Sequence, residues 1–118
     1  MAQKYRKERT YSVQQSENLS LGQAGSILVT GTSAVSCTAP SGVFVAIQFL
    51  EDTIFDSTDG LIAETTELFP DDDGTGSSVS SNGASTDSVT FPQGMTIFGR
   101  WTGFKLTSTG AVIAYVGG

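Results

Sequence analysis

Short segments rich in Ile, Val, Phe and Thr, each cut off by Gly, Ser, Asp or Pro, most constrain how this chain can fold. They read "SILVTG", "SAVSCTA", "VFVAIQFLED", "SVTFP", "TIFGRWTGFKLT" and "AVIAYV". Turn signals recur about every ten residues, the spacing of an antiparallel sandwich or barrel, and β-branched and aromatic residues suit pleated, half-buried strands. Only "GLIAETTELF" hints at a helical period, so Leu61 to Phe69 reads as a loop or a single helical turn. The expected fold is therefore all-β, an antiparallel β-sandwich or jelly-roll-like barrel, preceded by an extended N-terminal arm.

The arm covers residues 1–24 and one β domain residues 25–118. Its "SVQQSENLSLGQAG" stretch is polar and without period, and offers few apolar anchors. Lys4, Arg6, Lys7 and Arg9 are four of only six basic residues in a chain of net charge −6. With Glu8 the first ten residues sum to +3, which leaves −9 for the remainder. Nine acidic residues and no basic one lie between Glu51 and Asp73. A basic arm on an acidic body can pair head to tail. Residues 70–87, "PDDDGTGSSVSSNGASTD", hold only Val79 and Ala84 as apolar side chains and are expected to form a mobile exposed loop between two sheet halves.

The chemistry is bounded mostly by exclusion. The chain has no histidine and one cysteine, Cys37. Histidine-based triads, imidazole zinc sites and thiolate clusters are therefore ruled out, as is an internal disulfide. Glu51 with Asp52, or Glu64 with Glu67, are the nominal carboxylate pairs for acid–base work, but a domain of 118 residues with few aromatics leaves little room for a sugar cleft. Asp71, Asp73, Thr75 and Gly76 fall at positions 1, 3, 5 and 6 of a calcium-loop series. Position 12 is Asn82 instead of a bidentate Glu, so the stretch reads as a solvated acidic loop. Neither an enzyme activity nor a cofactor or metal is expected. No apolar run approaches the ~20 residues of a membrane span. On the arm, Lys4, Tyr5, Arg6, Lys7, Arg9 and Tyr11 form a candidate docking segment. Protein is its expected partner; nucleic acid is disfavoured by the acidic remainder.

The C-terminal stretch "MTIFGRWTGFKLTSTGAVIAYVGG" reads as two apolar strands joined by "TSTG". Met95, Ile97, Gly99, Trp101 and Gly103 share one face, whereas Phe104 and Leu106 take the other, so a β-bulge is expected near Gly103. "AVIAYV" is apolar on both faces, as in a central strand or one covered by a neighbouring subunit. Trp101, Phe104, Ile113 and Tyr115 are the candidate subunit-interface residues.

The run "FPQGMTIFGRWTGFKLTSTGAVIAYVGG", preceded by "VFVAIQFLEDTIFDS", resembles small virion structural proteins of tailed bacteriophages. The matching positions are Phe49 to Phe55, Pro92 to Gly94, Phe98 to Arg100 and Gly110 to Gly118, within a body from about Val43 onward; the arm lies outside the resemblance. It implies a non-enzymatic part of the virion, assembled in the host cytoplasm: a capsid cement or decoration protein, trimeric, contacting the major capsid protein or other virion proteins. The alternative is a tail- or fibre-associated module that binds a carbohydrate or receptor, with Phe98, Trp101 and Tyr115 as stacking rings.

Overall fold

A computed structural model describes residues 24–39, 42–73, 76–80, 82–108 and 110–117. The arm residues Lys4, Tyr5, Arg6, Lys7, Arg9 and Tyr11 lie outside them. The fold is all-β and antiparallel, with no helix among the described residues. Its strands are β1 (Ser26–Val29), β2 (Val35–Ser36), β3 (Val43–Phe49), β4 (Thr53–Ile54), β5 (Leu61–Ala63), β6 (Thr90–Phe91), β7 (Thr96–Phe104) and β8 (Val112–Gly117). One six-stranded sheet runs β1-β8-β3-β7-β2 with β5 also on β7, and β4 pairs with β6 in a separate ribbon. The sheet curls into half a barrel, and the ribbon covers its inner face.

The six segments read from alternation all carry strands, but their pairing departs from expectation. β7 and β8 do not form a hairpin: β3 lies between them and pairs with both. The two expected sheet halves are therefore interleaved in one sheet. Because β7 and β8 are both antiparallel to β3, the chain must travel back along the sheet from Phe104 to Val112. It does so across the inner face, where Leu106 bridges Phe55, Lys105 and Thr107 exchange backbone bonds with the β4–β5 segment, and Leu106 is buried.

Leu61–Ala63 forms β5, where a loop or helical turn was expected. Leu61 and Ala63 face inward against β7, and only after them does the chain turn, with the Leu68 and Phe69 N–H groups donating to Thr65 O. The expected bulge is present: Ile62 opposes Gly103 but Ala63 opposes Trp101, which leaves Thr102 as the extra residue and keeps both Trp101 and Phe104 inward.

Phe44, Phe104, Phe55, Phe49 and Phe91 form a continuous aromatic spine in the core. Phe55 sits at its centre, with ring centroids 5.9 Å from Phe49, 5.4 Å from Phe91 and 6.2 Å from Phe104, all edge-on. Such pairs add roughly 0.5–1.5 kcal/mol each beyond the burial of the rings. Trp101 and Phe104, expected at a subunit interface, are each 1 % exposed and belong to this chain's own core. Cys37 is half-buried, packs against the core, and its N–H donates to Thr102 O at 2.8 Å.

Candidate functional site

The register of the main sheet decides which side chains face outward. Paired residues point to the same side. One row across the outer face is Ser26–Tyr115–Ala46–Phe98, and the next is Leu28–Ile113–Gln48–Thr96. Leu28 is 61 % exposed and Phe98 63 %, with Ile113 and Tyr115 half-buried between them. The Tyr115 hydroxyl bonds Gln48 Oε1 at 3.0 Å, which ties β8 to β3 and leaves its ring in the apolar row. Ile113 and Tyr115 thus lie together on one open surface, while the other two interface candidates are inside. Leu28 was missed from the sequence, although "SILV", apolar in successive positions, is the signal of a strand with apolar groups on both faces.

The Phe98–Gly99–Arg100 step has a separate reason for each residue. Phe98 points outward. A Cβ at position 99 would come within 2.8 Å of the Trp101 ring and 3.2 Å of Phe69, so glycine lets the indole lie over the strand. Arg100 forks onto Glu64, with Nε to Oε1 at 2.6 Å and Nη2 to Oε2 at 3.3 Å, and clips the end of β5 to β7. This exposed pair holds the Glu64 carboxyl below its ordinary range, first through the hydrogen bond from Arg100. Its modest support is present above the ordinary carboxylate pKa and lost as pH falls through the lowered one.

Beside this face, β5 pairs with β7 only from Trp101 to Phe104. Where that pairing stops, the 84–91 segment passes by, and a pocket of about 440 Å³ opens between them. Leu61, Phe91, Ile97 and Trp101 line it, together with the exposed Val89 and Phe98. Trp101 Nε1 donates to Pro70 O at 2.9 Å, so the indole is fixed. Thr86, 5 % exposed, also lines the pocket, and its buried Oγ1 has no hydrogen-bond partner. No sequence signal singled out Thr86, because its burial comes from a loop held by distant contacts.

The acidic stretch next to the pocket corrects two expectations. Asp71 is neither a solvated loop residue nor an open cation ligand. It is 1 % exposed; its Oδ2 accepts the Ala63 N–H at 3.1 Å and its Oδ1 the Asp73 N–H at 3.0 Å. Within 70–87, expected to be mobile, the described residues Thr86 and Ser78 are anchored by Thr86 N–H to Asp71 O and Ser78 N–H to Glu67 O, both at 2.9 Å. Thr75 lies outside the described residues, and among those described no three Asp, Glu or Cys side chains are grouped to hold a metal ion.

Burial pushes the Asp72 carboxyl above its ordinary range, and the charges of Asp73, Asp71 and Asp59 push the same way, against a hydrogen bond from the Asp59 N–H. A carboxyl raised in the folded state destabilises the fold once it ionises. Asp72→Asn should therefore raise the melting temperature near neutral pH, and the gain should disappear as pH falls below the ordinary carboxylate pKa. A gain that persists in acid would mean that charge is not its source.

Fold and surface together define a class: an antiparallel β half-barrel with an open apolar sheet face, an adjoining apolar pocket and an acidic margin. Comparison of the chain with protein-family models, with curated proteins and with solved structures found no match.

Proposed function

We infer that the protein is a structural component of a tailed-bacteriophage virion, acting as a capsid cement or decoration protein. The observation that supports this reading is the open sheet face, where Leu28, Ile113, Tyr115 and Phe98 lie in two adjacent cross-strand rows. Contiguous apolar surface of this kind favours contact with another protein, at about 25 cal/mol per Å² removed from water. Side-by-side packing of copies through this face, as trimers, and docking of the basic arm on the shell would each be weak alone. Repetition around a shell multiplies them.

The test uses particles assembled from the shell protein of the phage that encodes this chain. Deleting residues 2–12 should abolish particle binding while the β body stays folded. Ile113→Asp, on the outer face, should leave the monomer folded and prevent side-by-side packing. Undiminished decoration by both variants would refute the reading.

A second reading, a tail- or fibre-associated carbohydrate- or receptor-binding module, is supported by the exposed Phe98 ring beside the pocket. Trp101 cannot serve as a stacking platform because it is inside the core. Retention on a glycan array, lost in Phe98→Ala, would select this reading over the first.

A further inference from the structure

We propose that the pocket between β7 and the 84–91 segment receives a tyrosine ring from the basic N-terminal segment of the same chain, Tyr5 or Tyr11. This goes beyond the virion reading and stands without it.

The pocket specifies the chemistry of its occupant. Its walls are apolar apart from Ser85 and Thr86; the Thr86 N–H donates to Asp71 O and its C=O accepts from the Val89 N–H. The hydroxyl is thus the group of Thr86 left over, and a buried hydroxyl without a partner bears its desolvation cost uncompensated. A phenol fits this requirement: its ring packs against Ile97, Val89 and Phe98, and its OH pairs with the covered Thr86 Oγ1 once the 84–91 segment shifts enough to uncover that atom. A leucine or phenylalanine would leave the hydroxyl unpaired.

Charge selects the segment that carries the ring. Asp71, Asp72 and Asp73 follow the pocket residue Pro70, and Asp87, with a buried Oδ1 lacking a partner, follows Thr86. The described basic side chains, Arg100 and Lys105, face Glu64 and Asp56. The remaining basic residues, Lys4, Arg6, Lys7 and Arg9, surround Tyr5 and precede Tyr11. On an extended segment Tyr5, Lys7, Arg9 and Tyr11 would share one face, so ring and cations would arrive together.

Reach favours the same chain over a second copy. Gly25, Val116, Phe44 and Trp101 are consecutive partners across four strands, so the start of β1 is three strand spacings, roughly 14 Å, from the pocket wall. The fourteen residues from Tyr11 to Gly25 can span up to about 46 Å. A tether with that much slack gives the ring an effective concentration in the millimolar range, beyond what a dilute second copy supplies.

Trp101 is the chain's single tryptophan and lines the pocket, so it reports occupancy. The experiment compares amide and indole NMR shifts and Trp101 emission of the full chain with those of Tyr5→Ala/Tyr11→Ala and of Lys4, Arg6, Lys7 and Arg9 all replaced by alanine. Neither variant touches the β body. Both should move the signals of Thr86, Val89, Phe98 and the Trp101 indole while leaving β1 and β8 unchanged. Salt at about 1 M should move the wild type to the same positions. Thr86→Val, which keeps the side-chain shape, should weaken occupancy several-fold, read as a lower salt midpoint. The single tyrosine variants identify the ring. Coincident spectra for wild type and both arm variants would overturn the proposal. Shifts that grow with protein concentration would overturn it too, by placing a second copy's segment in the pocket.

Discussion

Asp71→Ala is expected to destabilise the protein by about 2–5 kcal/mol, seen as a lowered urea midpoint with little change in slope. The carboxylate is buried and holds two backbone N–H groups, those of Ala63 in β5 and of Asp73 in the following turn. Alanine leaves both donors without their acceptor, the Ala63 N–H in the buried interior and the Asp73 N–H at a part-buried edge. The loss also spreads: Asp71 O holds the Thr86 N–H, so the 84–91 segment over the pocket depends on the same residue staying in place. A domain of this length is stable by roughly 6–18 kcal/mol, so the change removes a large share. Asp71→Asn discriminates the cause, since its amide oxygen can serve one donor while its NH₂ cannot accept from the other. It should lose about half as much. Equal losses in the two variants would mean that packing, and not acceptor count, makes Asp71 necessary.

Gly60→Ala should lower stability by about 3 kcal/mol or more, at or beyond the upper end of ordinary overpacking. A Cβ at this position would lie 1.7 Å from Asp56 O and 2.6 Å from Asp56 N, both backbone atoms, so no rotamer change relieves the clash. The turn is held on every side: Thr58 N–H donates to Asp56 Oδ1 at 2.8 Å, Asp59 sits at φ 57°, and its N–H donates to Asp72 Oδ2 at 2.7 Å. Opening it would break the pair of 2.9 Å bonds by which Lys105 N–H reaches Gly60 O and Asp56 N–H reaches Lys105 O. Those bonds position the return segment that buries Leu106. Gly31→Ala is the control: nothing lies within 4 Å of its added Cβ, and its φ is not in the left-handed range, so its midpoint should barely move. A Gly60→Ala protein as stable as the Gly31→Ala control would show that the turn is not a constraint on the fold.

The outer-face residues of the candidate site were partly legible. "AVIAYV" is apolar on both faces, which pointed to a central strand or one covered by a neighbouring subunit, and Ile113 and Tyr115 stood among four interface candidates without a face assigned to them. Which face turns inward is not written in that strand. It follows from the ribbon of β4 and β6 and the return segment at Leu106 covering only one side, and the same cover takes Trp101 and Phe104 into the core. The pocket was illegible because Thr86 and Trp101 meet only through contacts between the 70–73 turn, the 84–91 segment and β7.

The sequence by itself determined the local terms: strands from period-two alternation, breaks from Gly, Pro and Asp, the Gly103 bulge from a switch of apolar face, and a basic segment set apart from an acidic body. Each of these depends on neighbours a few residues away. Only the tertiary structure decided that β3 enters between β7 and β8, that "GLIA" pairs as a strand, and that Asp71 serves backbone donors inside the protein. Strand order is settled by which long-range pairing buries the most apolar surface while satisfying the most backbone groups. That is a property of the closed sheet and of no single segment within it.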